Sequence, residues 1–221
     1  MSDPTALLRR AMGGDDDPWY AYPLDVLWTL YDRVLRVSPA TVDNPDRDRL
    51  LLSKGHGAQA YYSVLAAKGF IPEEWLDDVA SATSRLGGHP DATLVPGVEI
   101  GSGSLGHGLG LGVGIALGLR AQGRLAPRVY VVVGDAELDE GSNEEAMAFA
   151  GLSGLDSLAA VVLDNRSARW SRPGGIVDYF AALGWATATV DGHDRDAICK
   201  AVLARTAGRP SVVVAELEDK P

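Results

Sequence analysis

Two short polar segments, each directly after an apolar run, have residue types that could bind a metal ion. Gly134-Asp135-Ala136-Glu137 follows the apolar residues 129–133, and Asp164-Asn165 follows residues 159–163 about 30 positions later. Both runs are continuously apolar, as buried parallel strands are. Residues 142–150 lie between them and combine a Ser-Asn start, early acids and good helix formers, which predicts a helix. The two segments should therefore end neighbouring strands of one βαβ unit.

A strand-end acid and a strand-end amide at this spacing can hold one Mg²⁺. Open parallel sheets bind ligands beyond the carboxyl ends of their strands, where both segments lie. Mg²⁺ prefers oxygen ligands and is usually bound by one or two protein groups together with water and phosphate. The residues alone leave other interpretations open, because Asp135 could simply cap a following helix and Asn165 could simply suit a turn.

Three further segments combine glycine with histidine or serine, in loops after or between predicted elements. They are Leu52-Ser53-Lys54-Gly55-His56-Gly57, Gly87-Gly88-His89-Pro90 and Gly103-Ser104-Leu105-Gly106-His107-Gly108-Leu109. Together with the Gly-Asp-x-Glu and Asn segments, they resemble the thiamine diphosphate motif. Over about residues 24–217, the chain resembles the N-terminal, diphosphate-binding half of transketolase, with the motifs in the family's order and at roughly its spacing.

The resemblance implies a role for each motif residue. It implies that Mg²⁺ is bound by the side chains of Asp135 and Asn165 and by the carbonyl of Ser167. It implies that thiamine diphosphate is bound by His56, Gly103, Leu105, Gly134, Asp135, Ala136, Glu137 and Asn165. It also implies that His56, His89 and Glu140 are catalytic.

Each role has an ordinary structural alternative. Glu137 and Glu140 could form a solvated acidic turn, and His56 and His89 could be structural histidines. Gly103 and Leu105 could be a turn residue and a core residue.

The order of predicted strands and helices indicates an α/β fold, a doubly wound and mainly parallel sheet with helices on both faces. We expect residues 1–221 to form a single diphosphate-binding domain. A complete transketolase is about three times longer, so the resemblance implies that the pyrimidine-binding and C-terminal domains belong to a second polypeptide. The expected assembly is a heterotetramer that acts on ketose and aldehyde substrates.

Several positions depart from the family pattern. Residues 15–22, expected to form a loop, read Asp-Asp-Asp-Pro-Trp-Tyr-Ala-Tyr where transketolases usually show Gly-His-Pro. Ala136 replaces a glycine, and His107 stands where glutamine is usual. The chain stops at Pro221, before a segment that carries another substrate-facing histidine in the family. These differences favour a changed substrate over a lost cofactor site.

Composition excludes other classes of protein. The net charge of −10 argues against a broad nucleic-acid surface, and a diphosphate ligand would need local compensation by Mg²⁺ and backbone amides. No apolar run approaches the roughly 20 residues of a membrane span, and no signal peptide is evident, so we expect a cytoplasmic protein without membrane association. The single cysteine, Cys199, lies in a helical pattern typical of a buried hydrophobe.

Three functions remain open from the sequence. The first is one subunit of a split transketolase that moves a two-carbon ketol unit, for which a specialised biosynthetic pathway is one setting. The second keeps the cofactor but uses it for acyl or decarboxylative transfer from a 2-oxo acid. The third is a non-catalytic scaffold that retains only the fold.

Overall fold

The computed structural model describes residues 2–14, 21–169, 172 and 174–218. Five parallel strands form one sheet in the order β1-β2-β3-β5-β4. The strands are β1 (Arg49–Leu52), β2 (Val129–Gly134), β3 (Leu158–Asp164), β4 (Ala186–Asp191) and β5 (Ser211–Glu216). The predicted parallel α/β sheet is confirmed.

Alternate residues of the central strands pack on opposite faces of the sheet. In β2, Val129, Val131 and Val133 belong to one hydrophobic cluster, whereas Tyr130 and Val132 belong to the other. Because both faces are covered, the strand is apolar throughout and carries no polar alternation.

Seven α-helices cover the two faces within the described ranges. They are α1 (Pro4–Ala11), α2 (Leu24–Thr29), α3 (Ala58–Ala67), α4 (Gly108–Ala121), α5 (Gly141–Leu152), α6 (Gly175–Ala182) and α7 (Arg195–Leu203). Buried residues of α4, α5 and α6 join one cluster, and those of α1, α2, α3 and α7 join the other. The sheet is therefore doubly wound, as predicted.

The glycine-rich helix α4 uses its glycines in two ways. On the sheet side, a Cβ on Gly112 would lie 2.5 Å from Val131 Cγ2, so only glycine allows this close approach. On the outer side, a Cβ on Gly110, Gly114 or Gly118 would meet nothing within 4 Å. Packing against the sheet thus accounts for only part of the glycine content of α4.

The sequence pattern also predicts helices over residues 24–35 and 72–81, and neither is an α-helix throughout. The pattern over residues 24–35 forms α2 and then a π-helical turn, Leu30–Val34. The helix predicted over residues 72–81 is shorter, because only Glu73–Asp78 is helical, and it is a 3₁₀ helix. Leu76 is its buried residue, and a single buried position gives no apolar stripe to hold an α-helix against the core.

The loop predicted over residues 15–22 lies outside the described residues up to position 20. Within the described chain, no helix combines the length and the apolarity that crossing a bilayer requires.

Candidate active site at the carboxyl ends of the strands

The predicted acid and amide lie at neighbouring strand ends. Asp135 directly follows β2 and Asn165 directly follows β3, and these strands pair in parallel with Gly134 opposite Leu163. Asp135 is 0% exposed and Asn165 is 1% exposed. Buried polar side chains require hydrogen-bond partners, so the contacts of these two residues determine what the carboxyl end of the sheet can bind.

The Asp135 carboxylate is held by the loop that follows β3. Its Oδ2 accepts hydrogen bonds from the backbone N–H groups of Ser167 at 2.5 Å and Ala168 at 2.8 Å, and its Oδ1 accepts one from Ser167 Oγ at 2.6 Å. Arg166, just before these donors, has a left-handed φ of 55°. This turn directs the following amides at the carboxylate and brings Ser167 beside Asp135.

Asn165 has one polar atom without a partner among the described residues. Its Oδ1 is buried and accepts no hydrogen bond from them. Leaving such an acceptor unpaired costs about 1–3 kcal/mol. Asp135 Oδ1, with one donor, also retains capacity, because an ionised carboxylate offers about four acceptor positions over its two oxygens.

The oxygen atoms of Asp135 and Asn165 suit a small hard cation. The described residues contain no group of three or more His, Cys, Asp and Glu side chains that could hold a metal ion. A cation here would depend on one carboxylate, one amide oxygen and backbone carbonyls, with other oxygens from its ligand. Mg²⁺ is typically bound by such a set together with phosphate.

Glu137 connects three of the motif segments and is not a solvated acid. It is 1% exposed, and its Oε1 accepts hydrogen bonds from Ser53 Oγ at 2.7 Å and Gly106 N–H at 3.3 Å. Its Oε2 accepts one from Gly134 N–H at 2.9 Å. Burial raises the pKa of the Glu137 carboxyl, and these donors oppose the rise. Its observed role is to join the ends of β1 and β2 to the glycine segment before α4.

The two motif histidines lie together. The ring centroids of His56 and His89 are 5.7 Å apart, and both residues are exposed. A Cβ on Gly55 would lie 2.5 Å from His89 Cδ2, and one on Gly103 would lie 3.0 Å from it. Glycine at both positions therefore makes room for the His89 ring beside His56.

Leu105 and Glu140 are exposed residues beside Gly106, the first in sequence and the second in space. Leu105 is 44% exposed, and Glu140 is exposed at the start of α5. A Cβ on Gly106, which has a φ of 82°, would lie 2.7 Å from Glu140 Cβ. Ala136 is partly buried between Asp135 and Glu137.

Lys54 is a residue for which the sequence suggested no role. Its Nζ would lie 3.1 Å from a Cβ on Gly134, so the ammonium group is beside the end of β2. Its charge lowers the pKa of Glu137, against the effect of burial. The sequence nevertheless contained one indication of a role. Lys54 follows a predicted strand, and a cation at a strand end suits an anionic ligand.

His193 and Cys199 lie outside this cluster. The Asp-Gly-His-Asp segment at residues 191–194 is typical of a turn that opens a helix, and His193 there contacts Asp25 and Glu218, which is a structural role. Cys199 is a free thiol of intermediate burial on α7.

The sheet topology and the polar strand ends define the class of doubly wound α/β domains that bind ligands at their strand ends. The model of one family, the thiamine diphosphate binding domain of transketolase, matches residues 22–217. The chain belongs to the transketolase family and is a transketolase-like transferase subunit built on that domain.

The chain is also similar to individual proteins. The chain is 37% identical over 198 residues to the 6-deoxy-6-sulfo-D-fructose transketolase subunit SqwG of Clostridium sp. (strain MSTE9), covering 86% of this chain and 72% of that protein. It is 51% identical over 214 residues to a protein of Rhodococcoides fascians named ferredoxin fas2, covering 96% of this chain and 70% of that protein. A transketolase mutant structure from Pichia stipitis superposes with a TM-score of 0.83 at 27% identity, over 96% of this chain and 35% of that one.

Proposed function

We propose that this chain binds thiamine diphosphate through one Mg²⁺, held by Asp135, Asn165 and the carbonyl of Ser167. The observation that carries the proposal is the buried, unpaired Oδ1 of Asn165 at the strand end beside buried Asp135. Retaining this acceptor costs stability unless something else occupies it. A cation explains both buried groups together.

The diphosphate would lie against the end of β2. A positive side chain there would favour an anionic ligand despite the chain's net charge of −10. The Lys54 ammonium lies beside the buried Gly134, and Ala136 is partly buried at the same strand end. In this arrangement Glu137 positions the loops without itself touching the cofactor, because hydrogen bonds from Gly134, Ser53 and Gly106 engage both of its oxygens. Glu137, predicted to bind thiamine diphosphate, would then act on the cofactor only through the loops that it positions.

The proposed reaction is transfer of a two-carbon ketol unit from a ketose, or ketose phosphate, to an aldehyde. When bound, the thiazolium ring supplies the electron sink that this chemistry needs. His56 and His89 would exchange hydrogen bonds or protons with substrate oxygens, since their rings are adjacent and both residues are exposed. Gly103 and Leu105 would contact the aminopyrimidine, and Glu140 would reach towards the second half of the site.

The site is proposed to be completed by a second subunit with the pyrimidine-binding and C-terminal transketolase domains. Leu105 and Leu111 are 44% and 47% exposed near the start of α4, and the outer glycines of that helix are open. The relative from Clostridium is itself named as a transketolase subunit. We propose a heterotetramer in which residues 1–221 form one domain, located in the cytoplasm.

The test is reconstitution with the protein encoded by the neighbouring reading frame, if that protein carries a pyrimidine-binding half. The two chains, with thiamine diphosphate and Mg²⁺, should transfer a ketol unit from ketose donors to aldehyde acceptors, and this chain alone should not. Robust transfer without any second polypeptide would contradict the split site. Failure of the pair to bind thiamine diphosphate would leave the scaffold function.

A 2-oxo acid donor is the second enzymatic candidate, because bound thiamine diphosphate serves acyl or decarboxylative transfer as well as ketol transfer. Release of CO₂ from a 2-oxo acid by the reconstituted pair, without ketol transfer, would favour this candidate.

A further inference from the structure

A second acid, Asp139, also contacts the loop that follows β3. Asp135 and Asp139 are the first and last residues of the 3₁₀ helix Asp135–Asp139. The backbone N–H of Arg169 donates to Asp139 Oδ2 at 2.8 Å, whereas those of Ser167 and Ala168 donate to Asp135. Three consecutive amides are thus shared between two carboxylates at opposite ends of one turn.

Arg172 forms an ion pair with the same acid. Its guanidinium lies 3.2 Å from Asp139 Oδ1 and donates to the carbonyl of Leu138, and it also lies 5.5 Å from the ring centroid of Tyr179 on α6. The Arg172 and Asp139 side chains are 8% and 12% exposed. Ion pairs on the open surface contribute little, but removing one partner of a buried pair leaves a charge without compensation.

The loop needs this second attachment because its own conformation is unfavourable. Arg166 adopts a left-handed φ of 55° without being glycine. Such conformations persist only where surrounding contacts fix them. The Asp135 carboxylate has too few acceptor positions to bind a cation and also accept from all three loop amides. Asp139 accepts from the third amide, that of Arg169. Arg172 forms an ion pair with Asp139 and holds it in place.

We propose that Asp139 and Arg172 form a clamp that positions the loop from Asn165 to Ser167 against Asp135. The clamp residues are positioning residues, since their observed contacts are with the protein. The proposal rests on the proposed function where it concerns the metal. Partners that orient metal ligands commonly change metal affinity by about 10–100-fold, so the clamp should act on Mg²⁺ and cofactor affinity.

Hydrogen exchange on the intact chain tests whether the clamp holds the loop, with no cofactor present. In Asp139→Ala and Arg172→Ala, the amides of Ser167 and Ala168 should exchange at least about tenfold faster, although neither donates to Asp139. The amide of Val161 in β3 should not change. Arg169→Ala is the matched control, because it removes a loop arginine but keeps its N–H donor, and its rates should remain within about twofold.

Two milder variants cover the case in which an alanine variant unfolds. Arg172→Met keeps the apolar stem and should still accelerate exchange at Ser167, whereas Arg172→Lys should restore most of the protection. Unchanged rates at Ser167 and Ala168 in Arg172→Met, with an intact sheet, would overturn the proposal.

Calorimetry with thiamine diphosphate and Mg²⁺, on the chain with its partner subunit, tests the link to the metal. Clamp variants should bind about tenfold more weakly, with kcat at saturation within about twofold of the wild type. Faster loop exchange with unchanged affinity would overturn the positioning role. If the wild-type pair binds no cofactor, the proposed function fails, and the exchange rates still decide whether the clamp holds the loop.

Discussion

At the scale of single residues, two buried asparagines make a natural comparison. Asn165 and Asn143 are 1% and 0% exposed, and Oδ1 of each lacks a hydrogen-bond partner in the part of the chain that the structure describes. Asn143 Nδ2 donates to the carbonyl of Glu137 at 2.7 Å, which fixes the turn after β2. The contact with Glu137 gives Asn143 a structural role, the proposed function gives Asn165 a ligand role, and substitution can separate the two.

Asn165→Ala should leave the stability of the cofactor-free chain within about 1 kcal/mol of the wild type, because it removes an acceptor that is already unpaired. It should also abolish binding of thiamine diphosphate with Mg²⁺. Asn143→Ala is the matched control and should lower the free energy of unfolding by about 1–3 kcal/mol, since it leaves the Glu137 carbonyl without its donor. Denaturant unfolding and calorimetry measure the two effects. Cofactor binding by Asn165→Ala at wild-type affinity would exclude the ligand role.

At the scale of elements, the strand ends were predictable and their cross-connections were not. Two continuous apolar runs, followed by Asp135 and Asn165, predicted the parallel sheet. They also predicted that the two polar side chains meet at its carboxyl end. Glu137 was placed among the cofactor contacts, with a solvated turn as the alternative, but its partner Ser53 is 84 positions away and has no local signal. Arg172 was missed for the same reason, because an arginine in a polar loop gives no indication of its partner Asp139.

The turn between β4 and α7 should make stability depend on pH. His193 Nδ1 contacts Asp25 Oδ2 at 2.9 Å and Nε2 contacts Glu218 Oε2 at 3.1 Å, while Arg195 pairs with Asp25 and Asp191 accepts from the His193 N–H. The hydrogen bond to Asp25 raises the pKa of His193, burial lowers it, and Glu218 raises it further. The protonated ring therefore ties α2 and the segment after β5 to this turn.

Because the folded pKa of His193 is raised, its contribution to stability should be complete below its ordinary pKa of 6.5 and should be lost as pH rises through the folded value. His193→Gln should destabilise the chain below that pH by at most about 1 kcal/mol, since the side chain is partly exposed, and less at higher pH. Denaturant midpoints measured between acid and mildly alkaline pH test this. His107→Gln, at another exposed histidine, is the control, and a His193→Gln deficit that grows with pH would show the sign to be wrong.

At the scale of the whole molecule, the outer stripe of α4 bears on assembly. Gly110, Gly114 and Gly118 recur every four residues and so share one face of the helix. Glycine in an exposed helix costs about 1 kcal/mol relative to alanine, and the described residues of this chain offer no packing in return at these positions. A second subunit that packs closely on this face would account for them.

Gly114→Ala should stabilise the isolated chain by about 0.5–1 kcal/mol, because a Cβ there meets nothing within 4 Å. The bulkier Gly114→Leu should leave the fold intact but weaken association with the partner subunit, as measured by light scattering or sedimentation. Gly112→Ala is the matched control on the opposite face and should destabilise the chain by about 1–3 kcal/mol through contact with Val131. Full association by Gly114→Leu would remove this face from the interface.

The location of the metal tests the central claim most directly. A crystal of the chain with its partner subunit, grown with thiamine diphosphate and with Mn²⁺ in place of Mg²⁺, should show an anomalous peak bonded to the Asp135 carboxylate and to Asn165 Oδ1. The expected metal–oxygen distances are about 2.1 Å, as for Mg²⁺. A peak elsewhere, or a diphosphate bound while Asp135 and Asn165 face away from it, would contradict the account.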